Sequence, residues 1–144
     1  MSLRVLTVVP YFHPAWAYGG IPRLAFGLSR ALQERGCSVR VLTTDALDRG
    51  ARLPAGPTEV AGLPVLRLPN LSNRLAYDQQ LFLPRGLRGA MEEAVDWAEV
   101  VHLHGWWHLL NNAAVGPAQR RGRAVVMTPN GTLLPHERKE GIKR

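Results

Sequence analysis

The chain has few of the features that define secreted, membrane-spanning or classical nucleotide-binding proteins. Cys37 is the sole cysteine among 144 residues, which excludes a disulfide scaffold. No apolar run approaches the roughly eighteen residues of a membrane span, and the first residues lack the cleavage site of a signal peptide. Neither a GxGxxG fingerprint after the first predicted strand nor a Gly-Lys-Ser/Thr motif is present, which disfavours NAD and FAD and excludes a P-loop. We therefore expect a single cytoplasmic globular domain.

Acidic residues are also scarce, and the charge that remains is uneven. Lys and Arg number 18 against 11 Asp and Glu, a net charge of +7, and only Lys139 and Lys143 are lysines. Arginine favours planar anions such as phosphate and carboxylate. The basic excess lies mainly between Arg120 and Arg144, which leaves nucleic acid, an anionic membrane surface or an acidic neighbour open as partners. No nucleic-acid motif is present, so we expect no specific nucleic-acid binding.

The apolar pattern predicts alternating strands and helices. Buried strands are predicted at residues 4–9, 39–44, 100–104 and 124–128, with a short strand pair at 58–61 and 65–68. Helices are predicted at residues 21–35, 84–97 and 107–121, and residues 70–83 show no clear period. In the first helix Leu24, Leu28, Ala31 and Leu32 share one apolar face. This alternation predicts an α/β fold: a three-layer, Rossmann-like domain with a mostly parallel sheet.

Ligands of such sheets bind beyond the carboxyl ends of the strands, which selects the loops at residues 10–20, 104–108 and 129–135. The first loop ends in Gly19 and Gly20, just before a helix. Free amides at a helix start bind phosphate, although a tight turn also explains two glycines. Tyr11, Trp16 and Tyr18 in this loop suit a sugar, because a loop has little core in which to bury aromatic rings.

The other two loops carry histidine, tryptophan and asparagine. His104 precedes Gly105 and is expected to be the most exposed of three nearby histidines. A metal site is disfavoured because no cysteine lies near them and the nearest carboxylate is Glu99. Asn130 and Gly131 fit either a sharp turn or a ligand contact.

Four stretches of the sequence resemble a known family when they are read in order. They are VLTVVPYFHPAWAYGGIPRLAFGLSRALQERGCSVRVLTT, EVAGLPVLRLP, VVHLHGWW and VVMTPNGTLLPHERK. Together they cover nearly the whole chain, and it resembles the N-terminal, acceptor-binding half of a GT-B fold glycosyltransferase of the retaining family 4 type. The resemblance implies a single N-terminal domain over residues 1–144, with the C-terminal donor-binding domain absent from this chain.

The resemblance also implies a role for each candidate residue. Gly19, Gly20, Asn130 and Gly131 would contact the phosphates or sugar of the donor. The family often has His where this chain has Asn130, and Asn cannot take a proton, so Asn130 is assigned to binding. His104 would be the catalytic residue on the acceptor side. The implied acceptor-binding residues are His13, Trp16, Tyr18, Arg23, Trp106 and Trp107.

The implied reaction moves a sugar from a nucleotide-diphosphate sugar to a hydroxyl of a glycan, polysaccharide or lipid-linked sugar, with retention of configuration. It needs no cofactor and no obligatory metal. The partners would be the two substrates, the missing domain and an anionic membrane at its inner face. A chain without the donor half would be inactive or nearly so, and the alternative is a free-standing sugar- or phosphate-binding module.

Overall fold

The computed structural model describes residues 2–105 and 108–129 of the chain. Within these ranges a short 3-10 turn at Trp16–Tyr18 separates the first strand from the first helix. Three consecutive strands and then two consecutive helices interrupt the alternation of strand and helix later in the chain. The strands are β1 (Arg4–Val8), β2 (Ser38–Thr44), β3 (Gly56–Val60), β4 (Leu63–Leu68), β5 (Val100–His104) and β6 (Ala124–Thr128). The helices are α1 (Gly20–Glu34), α2 (Asn73–Gln79), α3 (Leu87–Trp97) and α4 (Leu109–Arg120).

The described strands form one sheet in the order β3-β4-β2-β1-β5-β6. Every pairing is parallel except that of β3 with β4. Side chains of β1 alternate between two cores: Val5 packs with Ala25 of α1, whereas Leu6 packs on the other face with Met91 of α3 and Leu110 of α4. Helices therefore cover both faces of the sheet, which confirms the predicted three-layer α/β fold.

Helix α1 packs through a different face from the predicted one. Leu24 is 49% exposed and Ala31 is also exposed, whereas the buried positions are Pro22, Ala25 and Ser29. Small side chains bring α1 close to the sheet, and the Ser29 hydroxyl lies 3.1 Å from Thr7 Oγ1 in a buried hydrogen bond. The prediction was wrong for Leu24 and Ala31 because it gave no weight to small side chains, whereas Leu32 does pack, partly buried, against the core that contains Ala25.

One helix was not predicted, and one predicted helix begins later than expected. Residues 70–83 contain the helix α2, whose N-cap Ser72 accepts a hydrogen bond from the Leu75 amide at 3.1 Å. A helix of 7 residues is too short to show a clear apolar period. The second predicted helix does not begin at Pro84, because that residue forms an isolated bridge with Asn70. Helix α3 begins instead after Gly86, which has a left-handed conformation.

Strand β6 is not a buried strand within the described residues. Val125 and Val126 are 43% and 48% exposed. The strand pairs with β5 alone among the described strands, so it forms an edge of the described sheet. A β-branched run therefore predicted the strand correctly but overstated its burial.

Candidate functional site

The parallel strands β1, β2, β4 and β5 all end at the same edge of the sheet, where the candidate loops gather. In the loop after β1, Tyr11 is 3% exposed and Phe12 is 1% exposed, and they enter the two different cores. The Tyr11 ring stacks on Tyr18 at 4.7 Å and meets Phe82 at 5.4 Å. The expectation that this loop has little core in which to bury its aromatic rings was therefore wrong for Tyr11.

The predicted acceptor-binding residues of the first loop divide between two places. His13 lies 4.9 Å from Trp16 and 4.7 Å from Phe26, ring centre to ring centre. The Arg23 guanidinium lies 4.5 Å above the Trp16 ring. These side chains form a cluster of aromatic rings and one cation beside the first turns of α1, which we call the His13 cluster.

Tyr18 lies apart from the His13 cluster, in the core on the α3 and α4 side. Burial raises its pKa to about 12, with smaller contributions from Tyr77, Tyr11 and two aspartates. The Tyr18 hydroxyl is buried and has no hydrogen-bond partner among the described residues. Tyr18 is thus a neutral phenol with a buried hydroxyl group, and it lies apart from the surroundings of His13, Trp16 and Arg23.

Gly19 and Gly20 form the entrance to α1, as predicted. Gly19 has φ +99, which accounts for glycine at that position. Gly20 has no such backbone requirement, and a Cβ added there would meet no atom within 4 Å. The described chain therefore gives no packing reason for glycine at residue 20, and the first turn of the helix has neither a side-chain cap nor an acidic side chain.

His104 lies at the end of β5 and is fully buried, so the expectation that it is the most exposed histidine was wrong. Burial, with a smaller contribution from the neighbouring His102, lowers its pKa to about 4. The two rings stack at 4.3 Å, and His102 Nε2 lies 2.6 Å from Thr128 Oγ1. His104 is thus a neutral imidazole at physiological pH, and its catalytic role stays a prediction.

The turn after His104 is fixed by two side chains of the following helix. Asn111 Nδ2 donates to the carbonyl oxygens of His104 at 3.1 Å and Gly105 at 3.0 Å. Gly105 has φ +80, and a Cβ placed there would lie 2.7 Å from the His108 ring. His108 in turn packs edge-on against Phe82 at 5.7 Å, and burial lowers its pKa. The end of β5 is therefore a rigid part of the site.

The remaining candidates are Trp106, Trp107, Asn130 and Gly131, and they lie outside the described residues. Within residues 2–105 and 108–129, no group of three or more His, Cys, Asp or Glu side chains is placed to hold a metal ion. In the same part of the chain, no helix has the length and apolar character needed to span a membrane.

The sequence interpretation missed several buried polar residues beside the site. Asp45, 4% exposed, follows β2 and accepts hydrogen bonds from Arg52 Nε at 2.9 Å and the Asn70 amide at 3.1 Å. Arg67, 7% exposed, lies within β4. A signal was present, because Arg67 interrupts the apolar run of a predicted strand on the same face as the buried Val65.

Comparison with known proteins shows which family this chain matches. Residues 19–144 match the family model described as a glycosyl transferase 4-like domain. No curated protein shows significant sequence similarity to the chain. Among solved structures, the fold is similar to the catalytic domain of starch synthase IV from Arabidopsis thaliana bound to ADP and acarbose, with a TM-score of 0.54 and 16% identity. The match covers 88% of this chain and 33% of the starch synthase chain.

Proposed function

Because the chain belongs to the glycosyl transferase 4-like domain family, we propose that it is the acceptor-side half of an enzyme that transfers a sugar from a nucleotide-diphosphate sugar to a hydroxyl group with retention. A separate C-terminal domain would bind most of the donor. The match covers 33% of the starch synthase chain, so most of that protein has no counterpart in these 144 residues, and this supports a separate donor-binding domain. The 144-residue chain alone is proposed to be inactive or nearly so.

The observation that carries this proposal is the entrance to α1. The first main-chain amides of the 15-residue helix α1 have no side-chain cap, and a Cβ built at Gly20 would meet no atom within 4 Å. Such amides, with the positive end of the helix dipole behind them, stabilise an anion. The bound ADP of the starch synthase structure supports a nucleotide diphosphate as the anion. Gly19 and Gly20 are therefore assigned to the donor's phosphates, and Asn130 and Gly131 to its sugar.

The His13 cluster supplies the proposed acceptor face. The stack of Arg23 on Trp16, with His13 beside them, presents an aromatic surface and a cation. Aromatic faces bind sugar rings through their C–H groups and apolar area, and the cation gives orientation to a polar group. Tyr18, Trp106 and Trp107 are assigned to the acceptor as well, and His104 stays the proposed catalytic residue.

No metal is needed in this scheme. The leaving phosphate would be stabilised electrostatically by main-chain amides and by basic side chains of both halves. The proposed setting is the cytoplasm at the inner face of the membrane, where the arginines and lysines between Arg120 and Arg144 would meet anionic lipid.

The donor assignment is tested with matched glycine variants. Gly20→Val places a branched side chain before the free amides, while Gly27→Val makes the same change at an exposed position of α1 where a Cβ also meets no atom. We expect ADP to shift the amide resonances of residues 19–21 in wild type and in Gly27→Val. Gly20→Val should bind ADP at least about tenfold more weakly, a difference of about 1.4 kcal/mol. Equal affinity in both variants would contradict the assignment.

Catalysis is tested on a polypeptide that also carries the donor-binding domain. Proton NMR of the product's anomeric position reports retention or inversion directly. We expect the donor's configuration in the product, and no turnover by the 144-residue chain alone. Sugar or phosphate binding without any turnover by the longer polypeptide would favour the alternative, a binding module.

A further inference from the structure

Arg67 is a buried cation at the sheet edge described above. It lies near the end of β4 and is 7% exposed. Its Nη2 donates a hydrogen bond of 3.2 Å to the carbonyl oxygen of His13, while its Nε is buried without a hydrogen-bond partner among the described residues. Arginine stays protonated in proteins, so this side chain brings a full positive charge into the fold.

No described carboxylate neutralises that charge. Asp45, a buried acid just after the neighbouring strand β2, already pairs with a different arginine. Its Oδ2 lies 2.8 Å from Arg52 Nη2, and its Oδ1 accepts from the Asn70 amide. A buried charge without an opposite charge is costly, and desolvation lowers the pKa of Arg67 accordingly. The fold therefore tolerates a charge that an external anion would stabilise.

The flanks of Arg67 show how an anion would reach it. In the sheet Arg67 lies directly between Thr43 of β2 and Gly56 of β3, and side chains in such register point to the same face. Thr43 Oγ1 is fully buried and has no hydrogen-bond partner among the described residues. Gly56 is half-buried and has no side chain, and a Cβ built there would meet no atom within 4 Å. A hydroxyl donor thus lies on one flank and open space on the other.

We propose that Arg67, with the hydroxyl of Thr43, forms a binding site for an oxyanion, a phosphate or carboxylate carried by the acceptor. The anion would enter over Gly56 and pair with the guanidinium beside the main chain of His13, next to the His13 cluster. The assignment of the anion to the acceptor rests on the proposed function. The acceptor is accordingly an acidic or phosphorylated sugar rather than a neutral one.

The test uses nitrogen-15 NMR of the chain at constant ionic strength. Inorganic phosphate is titrated while the Arg67 Nε–H resonance and the amides of Thr43 and Gly56 are followed. We expect a saturable shift in wild type, unchanged in Arg74→Met, which removes the same charge from a side chain that is 91% exposed. Arg67→Met should bind at least about tenfold more weakly. Absence of a saturable shift at Arg67, or wild-type affinity in Arg67→Met, would overturn the proposal.

Two further variants cover the case in which Arg67→Met does not fold. Thr43→Val keeps the volume but removes the hydroxyl, and Arg67→Lys keeps the charge but removes the Nε–H donor. Both should weaken phosphate binding several-fold, and wild-type affinity in both would overturn the site as described.

Probes of different chemistry identify the source of the anion. If glucose 6-phosphate shifts these resonances more strongly than glucuronate does, the acceptor is phosphorylated. If glucuronate gives the stronger shift, the acceptor carries a carboxylate. Neutral glucose acting as strongly as either would overturn the anion requirement. ADP reports separately on residues 19 and 20. Shifts there without any at Arg67 refute this inference and leave the proposed function standing, whereas the opposite pattern refutes the donor assignment alone.

Discussion

The turn after β5 gives a sharp test of how rigidly the site is built. Gly105 has φ +80, and a Cβ there would lie 2.7 Å from both Cδ2 and Nε2 of His108. The His108 ring has little freedom to retreat, because it packs edge-on against Tyr11 and Phe82. Gly105→Ala therefore combines two penalties, a left-handed backbone and a steric clash.

The two penalties have separate magnitudes. A non-glycine residue in the left-handed region costs roughly 1–2 kcal/mol. Extra volume in a packed region costs typically about 1–3 kcal/mol. Gly105→Ala should therefore lower the free energy of unfolding by about 2–5 kcal/mol, which corresponds to a fall in Tm of roughly 4–20 °C for a chain of this size.

The assay is urea unfolding of Gly105→Ala beside a control, Gly122→Ala. Gly122 also has positive φ, at +61, but a Cβ there would meet no atom within 4 Å. The control should lose only the backbone contribution of about 1–2 kcal/mol. The double variant Gly105→Ala/His108→Ala should relieve the clash, so that its loss of unfolding free energy is smaller than the sum of the losses of the two single variants. Equal losses for the two glycine variants would refute the rigid placement of His108.

Three further predictions concern the same elements. Burial holds the pKa of His104 at about 4, below its unfolded value near 6.5. The stability that the neutral His104 contributes is therefore present above pH 6.5 and is lost as pH falls toward 4, by up to about 1.4 kcal/mol per pH unit. The variant His104→Gln should flatten this part of a curve of stability against pH. Asn111→Ala removes both donors to the turn and should cost about 1–3 kcal/mol in urea unfolding, with full stability contradicting the pinned turn. Leu24→Glu should change stability by less than about 0.5 kcal/mol, whereas Ala25→Leu should cost about 1–3 kcal/mol, and the reverse order would restore the predicted apolar face of α1.

The architecture was predictable because it depends on patterns that repeat along the chain. Four strands that the sequence predicts to be buried, separated by predicted helical segments, leave few arrangements other than a parallel sheet covered on both faces. The rotation of α1 depends on something else, the fit of small residues against β1. The face of α1 that packs on the sheet is set by Ala25 and by the hydrogen bond between Ser29 and Thr7. Hydropathy alone gives little weight to Ala25 or to Ser29.

The position of the site was predictable for the same reason, whereas its polar partners were not. The carboxyl ends of parallel strands gather at one edge whatever the side chains are. The pairing of Asp45 with Arg52, however, joins a strand end to a loop of irregular structure, and no period in the sequence reports it. Because Asp45 pairs with Arg52, Arg67 has no opposite charge beside it among the described residues. The uncompensated positive charge of the site therefore arises from a contact outside the regular strands and helices.

The predicted acceptor-binding residues of the first loop lie in two places because successive side chains at the start of that loop enter different cores. Tyr11 and Phe12 continue the two-sided pattern of β1 and enter different cores. Tyr18 stacks on Tyr11, while His13 and Trp16 pack with Phe26 beside α1. Substitutions at Tyr18 will therefore disturb the core shared with α3 and α4, whereas substitutions at Trp16 and Arg23 act at the surface. Only the second group separates acceptor binding from folding, which makes the His13 cluster and the adjoining Arg67 the place to measure acceptor affinity.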